Sequence, residues 1–250
     1  VTTLDAALVA ALDELAGHRP LLLASDYDGV LARLRDDPDA AVPEPGIGDL
    51  LGRLAAVDGV TLALVSGRGV EDLQRTSGLT GPYRWVGSHG AEFDGPLSGG
   101  LAARRDELAA RLAPLVGAVA GARLEVKPAS VAVHVRTVGD RAAAQRLLAD
   151  AAAGPGAATD LTAKPGKDVL ELAVTDADKG SALLRLREET GAQRVLYLGD
   201  DVTDEDGFRA LGPDDVTVKV GPGDTAAAHR LPDLAAVRAV LERLVTALSA

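Results

Sequence analysis

Apolar residues in this chain fall into short unbroken runs separated by stretches of helical spacing. The runs Leu21 to Ala24, Val60 to Val65, Arg194 to Leu198 and Val216 to Val220 read as strands that are apolar nearly throughout. Such strands are expected where helices cover both faces of a parallel sheet. In the first stretch, Val1 to Leu15, the residues Leu4, Ala7, Leu8, Ala11, Leu12 and Leu15 recur at helical spacing and predict an amphipathic helix. A further helix is expected from Lys179 to about Glu189. The alternation of the two patterns predicts an α/β fold built on a parallel sheet.

From about Pro96 to Thr175 the rhythm changes. A helix from roughly Leu101 is followed by strand patterns over Arg123 to Pro128 and Ser130 to Thr137, the second with Val131, Val133 and Val135 alternating against His134 and Arg136. That alternation predicts a half-buried strand. A helix near Asp140 to Ala153 and strands around Ala158 to Ala163 and Asp168 to Val174 complete an inserted α+β domain. The Gly-rich stretch Asp94 to Gly100 and the polar stretch Thr175 to Asp178 bracket it. The expected division is therefore a core of residues 1–96 and 176–250 with an insert of 97–175.

Composition narrows the function classes. The 250 residues are 47% hydrophobic but only 2% aromatic, so the core must be packed from Leu, Val and Ala. A formal charge of -11 disfavours nucleic acid and anionic membranes as partners, and any anionic ligand must be held by local cations. The absence of cysteine excludes disulfides, a thiolate zinc site and a cysteine nucleophile. Val1 to Leu15 carries Asp5, Asp13 and Glu14 with no leading basic residue, which does not suit a signal peptide, and no apolar run is long enough to span a membrane. A soluble, cytoplasmic monomer acting on a small molecule is expected.

Ligands of an open parallel sheet bind beyond the carboxyl ends of its strands. There the chain places Ser25-Asp26-Tyr27-Asp28-Gly29-Val30, Ser66-Gly67-Arg68 and Gly199-Asp200-Asp201. Asp26 and Asp28 are two positions apart, so an extended backbone points both carboxylates the same way. One can attack phosphorus to form an acyl phosphate while the other moves protons, first to the leaving oxygen and then from water. Carboxylates gathered around a phosphate require a hard cation, and magnesium suits them. Asp26, Asp200 and the carbonyl oxygen of Asp28 are the expected direct ligands, with Asp201 and Asp204 acting directly or through water. Ser66 and the Gly67 backbone offer donors to a phosphate. Lys179, at a helix start before Gly180 and Ser181, is the candidate to neutralise it.

Singly these features have plainer readings, since Asp-x-Asp-Gly also makes a capped turn and a lone lysine is usually solvated. Their order at successive strand ends is what sets them apart. The acidic run Asp200 to Asp206 does not make a calcium loop, because that register puts Val202 at the first ligand position and Pro213 at the closing one. Gly46, Gly48, Gly67 and Gly69 complete no dinucleotide fingerprint.

The motif series Asp26-Tyr27-Asp28-Gly29, Ser66-Gly67-Arg68, Lys179 and Gly199-Asp200-Asp201 resembles the haloacid dehalogenase superfamily of phosphotransferases. Within it, Gly87-Ser88-His89-Gly90-Ala91-Glu92, Lys127 with Ser130 to Arg136, and Gly199 to Asp206 resemble the trehalose 6-phosphate phosphatases. The resemblance covers nearly the whole chain. It implies a haloacid-dehalogenase-like Rossmannoid core with an inserted α+β cap, magnesium as cofactor, and a sugar phosphate as substrate. It also implies that Arg68, His89, Glu92, Lys127, Arg136, Lys167 and Glu171 join Ser66 and Gly67 around the substrate. Val30, where a threonine is common, and Gly207, where alanine is common, depart from the family pattern without touching a catalytic group. Phosphatases of sucrose phosphate or mannosyl phosphoglycerate, a hexose phosphomutase and a catalytically silent phosphosugar-binding module share parts of this pattern.

Overall fold

The computed structural model describes residues 3–249, so Val1 and Thr2 at the start of the expected first helix lie outside the described residues. Two compact units emerge: one runs to Gly95 and resumes at Ala177, and the other is Pro96–Asp176. The first unit begins with helix α1 (Ala6–Leu15), strand β1 (Leu21–Ser25), α2 (Ile47–Ala55), β2 (Val60–Val65), α3 (Val70–Ser77), β3 (Arg84–Gly87) and the two-residue β4 (Glu92–Phe93). The chain then builds the second unit from α4 (Gly99–Gly117), β5 (Arg123–Val126), β6 (Ser130–His134), α5 (Arg141–Ala153), β7 (Thr162–Gly166) and β8 (Val169–Ala173). It returns with α6 (Lys179–Thr190), β9 (Arg194–Gly199), α7 (Asp204–Ala210), β10 (Val216–Val220), β11 (His229–Leu231) and α8 (Leu234–Leu248).

The first unit holds a seven-stranded sheet in the order β11-β10-β9-β1-β2-β3-β4. Every neighbouring pair is parallel except β3 with β4. Side chains of a strand alternate between faces, and the buried residues sort accordingly. Leu21 and Leu23 of β1, Leu62 and Leu64 of β2 and Leu196 and Leu198 of β9 join the core that includes residues of α1, α2 and α8. Leu22, Ala24, Ala63, Val65, Val195 and Tyr197 face the other way, into the core that includes residues of α6 and α7. Two apolar faces per strand explain why these segments are hydrophobic at consecutive positions.

This sheet also fixes where chemistry can occur. From β1 the chain proceeds to β2 on one side, whereas β9, from the returning segment, pairs with the other side of β1. The strand order reverses there, and the carboxyl end of β1 opens onto the switch point at which α/β sheets bind ligands.

The second unit is a four-stranded antiparallel sheet in the order β5-β6-β8-β7. Val131 and Val133 of β6 are buried, as are Leu108, Leu112 and Val116 of α4 and Ala144, Leu147 and Ala151 of α5. Two sequence expectations are corrected here. The strand expected at Ala158 to Ala163 forms instead at Thr162–Gly166, after the short 3-10 turn Pro155–Ala157. It contains Pro165, and β7 is an edge strand, where a residue without an N–H is tolerated. Strand β6, expected to be half-buried, also buries Ala132, because this small residue is paired between the longer Glu125 and Glu171.

Candidate active site

The strand ends bring one group of charged side chains together in the first unit. Leaving β1, the backbone N–H of Asp26 bonds Leu198 O at 2.8 Å, which ties the residue to the adjacent strand β9. Its side chain is 7% exposed. One carboxylate oxygen accepts from the Tyr27 N–H at 2.6 Å and the other from Lys179 Nζ at 2.8 Å. The buried Tyr27 ring anchors the loop, its hydroxyl donating to Ala41 O at 2.6 Å. Gly29 lies at φ +77°, and a Cβ there would stand 2.0 Å from Asp200 Oδ2. Only glycine allows both the left-handed turn and the approach of Asp200.

Lys179 is the first residue of α6, and its position follows from the cap of that helix. Asp178 accepts from the Ser181 N–H at 2.7 Å, and the Ser181 hydroxyl returns a bond from the Asp178 N–H at 3.0 Å. This reciprocal capping box sets the helix start. The lysine ammonium, with its side chain 2% exposed, bridges Asp26 and Asp204 at 2.8 and 2.6 Å.

Asp204, at the start of α7, is fully buried. One of its oxygens accepts from Lys179 and from the Tyr197 hydroxyl at 2.5 Å. The other accepts the backbone N–H groups of Asp200 and Asp201 at 2.9 and 2.8 Å. With both oxygens so engaged, Asp204 organises its neighbours. Asp26, Asp200 and Asp204 each present an oxygen within 4.8 Å of the others, the one such acidic group found among the described residues. Asp201 lies outside it and is exposed.

This crowding shifts the carboxyls. Burial, aided by Asp204, raises the Asp26 pKa despite the attraction of Lys179. Burial and then Asp204 push Asp200 up to about 6. Lys179 moves in the direction that keeps it charged, because Asp26 and Asp204 outweigh its desolvation. A donor set of hard carboxylate oxygens with an unmet demand for positive charge fits magnesium.

Asp28 does not point into this group. Its carboxylate forms a two-point ion pair with Arg68, Nε to Oδ2 at 2.7 Å and Nη2 to Oδ1 at 2.9 Å. Arg68 also donates to Asp72 at 3.0 Å and to Pro38 O at 2.8 Å. The sequence suggests Arg68 as a substrate contact, and the structure shows instead that its guanidinium is occupied by protein. Ser66 is 1% exposed, and its hydroxyl accepts the Arg68 N–H at 3.2 Å.

The loop after β3 braces the Ser66 turn. His89 N–H donates to Ser66 O at 3.0 Å and Ser88 N–H to Arg68 O at 2.7 Å. A Cβ on Gly67 would lie 2.6 Å from the His89 ring. Ser88 and His89 both adopt left-handed backbone, at φ 49° and 57°. Glu92 is 5% exposed and accepts from the Ser88 hydroxyl at 2.7 Å and the Val70 N–H at 3.3 Å, so it supports the loop from behind.

In the second unit, Lys127 and Glu171 meet at 2.8 Å, with the Ser130 hydroxyl donating to the same carboxylate at 2.6 Å. Glu171 is partly buried, yet these two donors hold its pKa below the usual glutamate value. Arg136 and Lys167 are exposed in turns beyond the far end of β6, both near Asp168. The expected sugar-contact residues thus form two groups, separated along β6 by roughly 13 Å at ordinary strand rise. His134, facing the same way as Glu125 and bonded to it at 2.6 Å, lies between them.

Comparison with known proteins bears on the family and the fold. The family model for trehalose-phosphatase matches residues 24–230. A trehalose-phosphate phosphatase of Mycobacterium marinum is 34% identical over 95% of the chain, which spans 64% of that relative's length. A bifunctional trehalose-6-phosphate synthase/phosphatase of Thermoproteus tenax is 34% identical over 92% of the chain, which spans 33% of its length. The solved Aspergillus fumigatus trehalose-6-phosphate phosphatase superposes with a TM-score of 0.76 at 25% identity, covering 98% of this chain and 99% of that one. A haloacid dehalogenase-like hydrolase of Bacteroides thetaiotaomicron shares the fold, with a TM-score of 0.59 at 16% identity over 88% of this chain and 98% of that one. The parallel-sheet core is therefore haloacid-dehalogenase-like, and the chain belongs to the trehalose-phosphatase family.

Proposed function

We propose that the protein is a magnesium-dependent phosphatase that hydrolyses trehalose 6-phosphate to trehalose and phosphate through an aspartyl-phosphate on Asp26. The observation that carries this reading is the convergence of Asp26, Asp200 and Lys179 at the reversal of strand order. Family membership supports it. Asp26 and Asp200, with the Asp28 carbonyl oxygen, would hold the metal. When bound, magnesium supplies charge that offsets the clustered carboxylates and the phosphate.

The protein groups account for the remaining chemistry. Asp26 attacks phosphorus, the bond from phosphorus to the sugar oxygen breaks, and Asp28 gives that oxygen a proton. Water then attacks the phosphoryl group, Asp28 takes its proton, and the acyl phosphate breaks to free Asp26. A carboxyl that donates a proton must release one of its two bonds to Arg68, so the ion pair loosens at each turnover. Lys179 and the Ser66-Gly67 donors stabilise the transferring group.

Lys127, Glu171, Arg136 and Lys167 are proposed to recognise the sugar phosphate from the second unit, acting as a cap. Long cations and a carboxylate suit phosphate and hydroxyl partners. A localisation in the cytoplasm and action as a monomer complete the reading. Among the described residues no helix is long and apolar enough to cross a membrane.

The test is phosphate release from a panel of trehalose 6-phosphate, sucrose 6-phosphate, glucose 6-phosphate and mannosyl phosphoglycerate, with magnesium and with chelator. Magnesium-dependent release from trehalose 6-phosphate above the others is expected. Preference for another sugar phosphate would refute the substrate, and full turnover in chelator would refute the metal.

A further inference from the structure

Strand β10 carries one charged side chain, Lys219, in register with Gly199 of β9 and Arg230 of β11. Val216, Val218 and Val220 pack into one core, and Lys219, on the opposite face, is 4% exposed. Burying an ammonium costs several kcal/mol unless something compensates it, and an apolar residue of similar length would fill the space without that cost. Register places Lys219 beside Gly199, the last residue of β9, and its Nζ donates to the carbonyl oxygen of Asp200. The N–H of the same residue is bonded to Asp204 at 2.9 Å. Asp200 is thus gripped at both backbone groups by buried charged side chains from two different elements. Its carboxylate is directed at the space that Gly29 leaves open.

We propose that Lys219 is a positioning residue for the metal site: it holds the Asp200 peptide so that the carboxylate stands beside that of Asp26. This inference rests on the magnesium reading above. Lys219 acts through the backbone of Asp200 and touches no reacting atom. Groups that orient metal ligands from behind typically change metal affinity 10–100-fold when removed, roughly.

The sign of the effect separates position from charge. A buried cation near a metal site repels the metal, so removing Lys219 for its charge alone tightens magnesium binding. Removing it as a positioning group weakens binding. The experiment is calorimetric titration of magnesium chloride into the wild-type protein, Lys219→Met and Lys219→Gln, with melting curves in chelator and in excess magnesium. Wild type is expected to bind, and both variants to bind about tenfold or more weakly, with a smaller magnesium-induced rise in Tm. The magnesium concentration for half-maximal phosphate release should rise by a similar factor, while KM for the sugar phosphate at saturating magnesium stays unchanged. Equal or tighter binding by the variants overturns the inference and leaves the metal reading intact. Failure of wild type to bind removes the metal reading itself, and the inference with it. If neither variant folds, Lys219 is a structural residue and the proposal fails.

Discussion

As the proposed nucleophile, Asp26 combines two demands that pull against each other, since a nucleophile must be ionised and this residue is nearly closed to water. Lys179 reconciles them by bridging Asp26 and Asp204. Lys179→Met should therefore destabilise the protein by about 3 kcal/mol in chelator, read by urea denaturation, because two buried carboxylates lose their counter-charge. Asp26→Asn is expected to keep the fold, by circular dichroism, and to lose at least ~10³-fold in kcat. Asp28→Asn should lose about 10²–10⁴-fold against the sugar ester. The loss in the phosphoryl-transfer step should be smaller against p-nitrophenyl phosphate, whose leaving group needs no proton.

The residue scale also sets a pH dependence. The folded pKa of Asp200 is raised from 3.8 to about 6, so the folded protein binds this proton more readily than the unfolded chain does. The stability it contributes is fully present below pH 3.8 and is lost as pH rises through about 6. In chelator, denaturation midpoints should fall across that window, and Asp200→Asn should flatten the fall. A slope of the opposite sign, or one unchanged in the variant, would show that other groups dominate.

At the scale of elements, each group proposed for catalysis is delivered by an element boundary. Asp26 follows β1, Ser66 follows β2, Asp200 follows β9, and Lys179 opens α6. The capping box at Asp178 is the local device that begins α6 at the lysine. Asp178→Ala should cost about 1 kcal/mol in stability and lower kcat/KM as well, because the unsecured helix start carries Lys179. Thermal melts and steady-state phosphate release check both. The left-handed pair Ser88 and His89 is a second such device, sustained by Glu92 from behind. Left-handed backbone outside glycine tends to persist only where the surroundings enforce it.

At the scale of the whole molecule, a chain of net charge -11 gathers several of its acids around one point and depends on cations to balance them. Magnesium binding to the folded state alone should raise stability by mass action, about 2.7 kcal/mol at a hundredfold excess over Kd. Tm measured across a magnesium series tests this, and a flat series would refute a folded-state site. The second unit supplies Lys127 and Arg136, which the proposal assigns to the sugar phosphate. Lys127→Ala should then raise KM for trehalose 6-phosphate well above its effect on kcat, whereas an equal loss in both would count against the assignment.

Much of this is legible in the chain itself. The strands β1, β2 and β9 are nearly continuous apolar runs because both their faces lie in apolar cores, whereas β10 alternates valine with Thr217 and Lys219, and motifs at the strand ends announce the switch point. Local patterns misplace β7, whose Pro165 is tolerated only because tertiary pairing leaves it at an edge. Local patterns also do not reveal that Arg68 is committed to Asp28, that Glu92 sits behind its loop, or that Asp204 joins the acidic group while Asp201 remains exposed. Lys219 gives no signal in sequence beyond a lysine among valines. Each of these depends on which strand lies beside which, through contacts between residues far apart in the chain. The sequence by itself determined the apolar strands, the turn glycines and the types of reactive group, because those follow from short-range periodicity and chemistry. Only the tertiary structure decided which carboxylates face one another and which cations answer them, because sheet order and burial set those distances and the cost of each charge.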